Sequence, residues 1–125
     1  MNKVWIIDDD QEMTEAISLM LRLLDCESTS FYDARSAVDR LAAGIRPDLV
    51  LLDINFPEVS GMDMLEYLRR SEKWKDLPVI MLSSETADTV VDEAIAKGAN
   101  GYIMKPVSLD ELQKALAEVQ NNNGM

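Results

Sequence analysis

Two apolar runs in this chain stop on carboxylates. Val4-Trp5-Ile6-Ile7 runs into Asp8-Asp9-Asp10, and Leu49-Val50-Leu51-Leu52 runs into Asp53. Four apolar residues without alternation make a strand covered on both faces, as in a parallel sheet. Open α/β sheets keep their ligands just past the carboxyl ends of the strands. Carboxylates gathered there repel one another and need a cation or a shared proton. The pattern points to a hard-metal site built on Asp8, Asp9 and Asp53. Asp10, next in line, reads as the N-cap of the following helix.

Strand and helix signals alternate along the rest of the chain. Met13, Ile17, Met20, Leu21 and Leu24 recur at helical spacing, a weaker strand follows near Glu27–Phe31, and a helix near 34–43 closes at Gly44. After the second acid-ended strand, Asn55–Gly61 reads as a loop, because it holds Pro57 and Gly61, and precedes a helix near 63–71. Val79–Leu82 is a strand ending at Ser83-Ser84. A helix near 88–97 turns Val91, Ala94 and Ile95 inward and stops at Gly98. Tyr102-Ile103-Met104 is a fifth strand, ended by Lys105-Pro106. Ser108 and Glu111 form a capping box for a last helix whose inner face is Leu109, Leu112, Leu116 and Val119. The residues from Gln120 to Met125 are polar and expected to fray.

Five βα units predict a single α/β domain over residues 1–120: a five-stranded parallel sheet with helices on both faces, doubly wound and flavodoxin-like. The strand order 2-1-3-4-5 suits this count. That order places the strands ending in Asp8-Asp9, Asp53, Ser83 and Lys105 side by side. Strand 2, which ends in Phe31-Tyr32, falls at an edge.

Composition narrows the chemistry. With 12 Lys and Arg against 23 Asp and Glu, the formal charge is −11 over 125 residues. Such a balance disfavours direct contact with nucleic acid or anionic lipid. The chain has no histidine and one cysteine, Cys26, so a Ser-His-Asp triad, a His/Cys zinc site and an internal disulfide are excluded. No apolar run reaches the roughly 18 residues of a membrane span, and Asp8 cuts off any signal-peptide core. A cytoplasmic protein is the expectation. The eight methionines follow helix and strand periods and read as core fillers.

Carboxylates, one hydroxyl and one ammonium suit Mg²⁺ or Mn²⁺ together with a phosphate. Lys105 is a point charge suited to phosphate, and Ser83 can donate to a phosphate oxygen. A carboxylate in such company can attack phosphorus and become an aspartyl phosphate.

Val4–Asp10, Leu49–Pro57, Ser83 after Val79–Leu82, and Gly101-Tyr102-Ile103-Met104-Lys105-Pro106 together resemble the receiver domain of bacterial two-component response regulators. The resemblance covers essentially the whole chain, in the right order and spacing. It implies that Asp53 is the phosphoacceptor, loaded from a sensor histidine kinase or a histidine phosphotransfer protein. It implies that Asp9 binds Mg²⁺ directly, Asp8 mostly through water, and Asn55 through its backbone carbonyl. Ser83 would move onto the phosphoryl group, Lys105 would pair with it, Lys105-Pro106 would be a cis peptide, and Tyr102 would be the aromatic switch. The face made by the fourth helix, fifth strand and fifth helix would dock the downstream protein target. Asn55 and Glu85 sit where the family varies and where side chains modulate the lifetime of the phosphoryl group. Ser83, Ser84 and Phe56 stand where threonine, alanine and methionine are commoner, and none of these departures removes a required group.

Two other readings use the same residues. An aspartyl-phosphate phosphatase usually needs a second acid two residues after the nucleophile, where this chain has Asn55. A pseudo-receiver would bind partners without phosphorylation, against the intact set Asp9, Asp53, Ser83 and Lys105. A stand-alone receiver resembling a chemotaxis regulator is favoured over a piece of a longer regulator, because the first strand starts at Met1 and Asn121-Asn122-Asn123-Gly124 is no obvious linker.

Overall fold

A computed structural model of the chain describes residues 2–55, 60–84 and 88–123, with side chains through Gln120. The elements alternate as β1 (Asn2–Ile7), α1 (Gln11–Leu23), β2 (Cys26–Phe31), α2 (Ala34–Ala42), β3 (Leu49–Asp53), α3 (Gly61–Arg70), β4 (Val79–Ser83), α4 (Asp88–Ala96), β5 (Gly101–Met104) and α5 (Leu109–Asn123). The strands form one parallel sheet in the order β2-β1-β3-β4-β5, the flavodoxin-like arrangement that the sequence predicts.

The unbroken apolar runs are explained by burial on two sides. Side chains of successive strand residues point to opposite faces. Trp5, Ile7, Val50, Leu52, Val79 and Met81 join one core with α2, α3 and α4; Val4, Ile6, Leu49, Leu51, Ile80 and Leu82 join another with α1 and α5. Each such side chain taken fully out of water contributes about 1.5–3 kcal/mol. Over Val4–Ile7, Leu49–Leu52 and Val79–Leu82 the three inner strands therefore have no solvated face on which a polar residue could sit.

Helix starts follow their capping residues. Met13 N–H donates to Asp10 Oδ1 at 3.1 Å, Ser36 N–H to Asp33 Oδ1 at 2.7 Å, and Asp63 N–H to Ser60 Oγ at 3.2 Å. At α5 the capping box is reciprocal: Glu111 N–H donates to Ser108 Oγ, and Ser108 Oγ donates to Glu111 Oε1. Gly44 (φ +92°) and Gly98 (φ +106°) end α2 and α4 in the left-handed region that favours glycine.

Three packing details differ from the sequence reading. In α4 only Ala94 is buried; Val90 packs partly on the core, while Ile95 is 50% exposed. The helix is thus turned towards the sheet by Ala94 and Val90, not by the Val91–Ile95 face. In α5, Leu112 and Val119 are buried but Leu109, the first residue of the helix, is exposed. The same helix runs on to Asn123, past the Gln120 at which the polar tail was expected.

Arg69 has no counterpart in the sequence reading. Its guanidinium donates to Gly98 O (2.9 Å), Leu77 O (2.8 Å) and Asn100 Oδ1 (2.9 Å). It ties the end of α3 to the connections that precede β4 and β5. Burial holds its pKa below the ordinary arginine value. Among the described residues no helix is long and apolar enough to cross a membrane.

Candidate functional site

Strand register assembles the site. Ile7 pairs with Leu52, Asp53 with Leu82, and Ser83 with Met104, so the residues at or just past four strand ends share one edge of the sheet. Asp8, Asp53 and Ser83 are buried there, whereas Asp9 is exposed. Oxygen atoms from Asp8, Asp9 and Asp53 all lie within 4.8 Å of one another.

Lys105 reaches into this cluster from beyond β5. Its Nζ lies 2.8 Å from Asp8 Oδ2 and 3.1 Å from Asp53 Oδ1. The Lys105–Pro106 peptide is cis. Lys105 N–H donates to Ser83 O at 2.9 Å, which ties the Lys105 backbone to the end of β4. Asp8 is aimed from its other side, because Asp10 N–H donates to Asp8 Oδ1 at 2.9 Å. Asp10 therefore both caps α1 and orients Asp8, and it takes no place in the carboxylate cluster.

The electrostatics are those of a charge-crowded, partly dry site. Burial and then the Asp8 charge push the Asp53 carboxyl above its ordinary pKa, against the pull of Lys105 and of the Asn55 amide. Burial alone would lower Lys105. Its hydrogen bond with Asp8 and the charges of Asp53 and Asp8 outweigh that, so the ammonium is held above its ordinary pKa. Three carboxylates and one ammonium leave two negative charges, which one divalent cation would cancel.

Asp8 Oδ2 is buried, and Lys105 Nζ at 2.8 Å is its cationic contact among the described residues. Hard oxygen donors in this number and spacing fit Mg²⁺ or Mn²⁺, which keep waters and share their shell with phosphate. The donor set fits.

Of the other residues singled out from the sequence, Asn55 is exposed, and its amide hydrogen-bonds the Asp53 carboxylate. Tyr102 is half-buried and packs against the core beside α4. Glu85, like Phe56 and Pro57, lies outside the described residues. Gly61 carries a role that the sequence reading, which took it as a loop residue, did not assign. Its N–H donates to Ile54 O at 2.7 Å, and a Cβ there would stand 2.0 Å from the carbonyl oxygen of Asp53. Only a glycine lets α3 start this close behind Asp53.

A doubly wound parallel sheet with carboxylates across its topological switch point, a hydroxyl at the next strand end and a lysine beyond it defines a class of phosphate-handling α/β domains. The match to known proteins is narrower. The chain belongs to the response regulator receiver domain family, matched over residues 4–117. It is 35% identical to the protein RcaC of Microchaete diplosiphon over 111 residues, covering 89% of this chain but 17% of that one. It is 32% identical to the chemotaxis protein CheY of Pseudomonas aeruginosa, covering 94% of each. Among solved structures, the chemotaxis response regulator CheY4 of Vibrio cholerae superposes with a TM-score of 0.86 at 30% identity, covering 95% of this chain and 98% of that one. Receiver domains are signalling modules of bacterial two-component systems, and they generally bind Mg²⁺ at an acidic pocket.

Proposed function

We propose that this chain is a phosphorylation-switched signalling module whose phosphoacceptor is Asp53. The observation that carries the reading is the buried Asp8–Lys105–Asp53 bridge, which holds two carboxylates and an ammonium together at one edge of the sheet. An Asp53 oxygen attacks phosphorus of a phosphohistidine on a sensor histidine kinase or a histidine phosphotransfer protein. The P–N bond breaks, and the imidazole nitrogen keeps the electron pair and takes up a proton. Lys105 turns from the Asp53 carboxylate to an oxygen of the arriving group, and Ser83 donates to another.

Asp8, Asp9, Asp53 and the Asn55 carbonyl are the groups that would hold Mg²⁺, with Mn²⁺ as a substitute. The cation would supply charge neutralisation for the transferring phosphoryl. The bound phosphoryl adds about −1.5 to −2 charges at the end of β3. Drawing Ser83 towards it frees space into which Tyr102 turns, and this biases the face of α4, β5 and α5 on which a downstream protein docks. Ile95, Met104 and Leu109 are exposed apolar residues of these elements. Asn55 and Glu85 set how easily water reaches the phosphoryl group. The protein acts in the cytoplasm through protein partners, without direct contact with nucleic acid or membrane.

Incubation with acetyl phosphate and Mg²⁺ tests this reading. One base-labile phosphoryl per chain by intact mass, absent in EDTA and in Asp53→Asn, is the expected result. Repeated turnover of a small phosphoester would instead indicate a phosphatase, and no adduct under conditions that label CheY would indicate a pseudo-receiver.

A further inference from the structure

The amino end of the sheet holds a second pocket, which the Asp53 chemistry does not use. It encloses about 290 Å³ between the start of β1, the edge strand β2, the last turn of α2 and the connection from Ile45 to Pro47. Lys3, Arg40 and Arg46 line it together with Trp5 and Ile45. Lys3 precedes Asp8 by five residues of extended strand, roughly 16 Å. The two sites are separate.

Three cations on one pocket run against the composition of the chain, in which 23 acids face 12 bases. Among the described residues none of the three is ion-paired to a carboxylate. Arg40 lies over the Phe31 ring, 5.9 Å from its centroid, which steadies the guanidinium without neutralising it. Arg46 Nη1 donates to Lys73 O at 2.8 Å, a neutral partner. Asp48 is engaged by the backbone N–H of Lys3, not by its ammonium. Glu27, the cross-strand neighbour of Lys3, is the one carboxylate lining the pocket. The lining therefore carries a net charge of about +2, gathered beside an apolar wall of Ile45, which is 47% exposed, and the buried Trp5.

We propose that this pocket binds a small organic dianion with an apolar or planar body, of the size of a nucleoside monophosphate. Two net positive charges call for a dianion, and arginine forks suit phosphate or carboxylate oxygens. The volume lies just below the range of drug-sized small-molecule sites, about 300–1,000 Å³, and suits a small ligand. The recessed shape favours a small ligand over an acidic protein surface, which would meet a flat or convex face.

The test titrates AMP, inorganic phosphate, adenosine and a polyglutamate peptide into the full chain in EDTA, with amide chemical shifts as the readout. The expected result is saturable AMP binding with a dissociation constant of about 1 mM or below and shifts at Lys3, Arg40 and Arg46. Phosphate alone binds more weakly, and adenosine does not bind. Lys3→Gln and Arg40→Gln each weaken AMP by about tenfold, with unchanged spectra elsewhere. Lys3→Gln is the control for folding, because among the described residues the Lys3 side chain makes no hydrogen bond or ion pair. Absence of saturation by about 10 mM AMP overturns the proposal. So do shifts confined to the Asp53 end, equal binding of adenosine and AMP, phosphate binding as tight as AMP, or wild-type affinity in both variants. A polyglutamate peptide that binds more tightly than AMP replaces the small ligand with an acidic protein partner.

Discussion

Gly61 sits against the backbone of Asp53 so closely that a methyl group on it would lie 2.0 Å from the Asp53 carbonyl oxygen. The first turn of α3 thus buttresses the strand end that presents the Asp53 carboxylate. Gly61→Ala must push β3 and α3 apart. The expected cost is about 1–3 kcal/mol, as for an overpacked core site. Urea unfolding measures it, and phosphorylation of Asp53 from acetyl phosphate should slow in the same variant.

Lys105 is the only described cation in contact with Asp8 and Asp53. Lys105→Met leaves buried carboxylates without their counter-charge, a change that costs about 3–5 kcal/mol when one partner of a buried pair is removed. In EDTA its melting temperature should fall well below that of the parent. Added Mg²⁺ should raise the variant's melting temperature by more than the parent's, since the cation takes over part of the lysine's role.

Asp53→Asn moves stability the other way. The pKa of Asp53 is raised by burial and by Asp8, so its ionised form opposes folding at neutral pH. Removing that charge should stabilise the chain in EDTA by roughly 1–2 kcal/mol, the scale of relieving a buried like-charge contact. The same variant should lose most of the stabilisation that Mg²⁺ gives the parent, which a thermal titration with Mg²⁺ would read.

The N-cap Asp33 gives a pH signature away from the site. Hydrogen bonds from the Ser36 amide and then its hydroxyl hold the Asp33 carboxyl below the ordinary range. A carboxylate with a depressed folded pKa stabilises above its unfolded pKa and loses that contribution as pH falls through the folded one. Asp33→Ala should therefore cost about 1 kcal/mol at neutral pH, as a lost N-cap does. In acid, below the folded pKa, urea midpoints of variant and parent should converge.

Arg69 joins three segments through the carbonyls of Gly98 and Leu77 and the side chain of Asn100. Arg69→Lys keeps the charge but not the planar fork, so it should lose most of what Arg69→Met loses, about 3 kcal/mol or more. Chemical denaturation of the two variants tests this.

The sheet and the site edge were readable because burial on both faces writes itself as unbroken apolar runs, and their ends mark where polar chemistry begins. Asp8, Asp53, Ser83 and Lys105 follow directly from that rule. The orientation of α4 was not readable. Val90, Val91, Ala94 and Ile95 offer two apolar faces, and which one meets the sheet depends on neighbours such as Tyr102 that lie elsewhere in the sequence. Gly61 and Arg69 were hidden for a related reason. A close backbone approach and a guanidinium buried on carbonyls leave no local pattern, since their partners are distant in sequence or belong to the main chain.

The most direct test of the central claim is to find the phosphorylated atom. After treatment with acetyl phosphate and Mg²⁺, borohydride reduction converts an aspartyl phosphate to homoserine, which peptide mass spectrometry assigns to a residue. The account predicts homoserine at position 53 alone, and none when Mg²⁺ is withheld. Homoserine at Asp8 or Asp9, or an unmodified Asp53 in a chain that has gained a phosphoryl group, would contradict it.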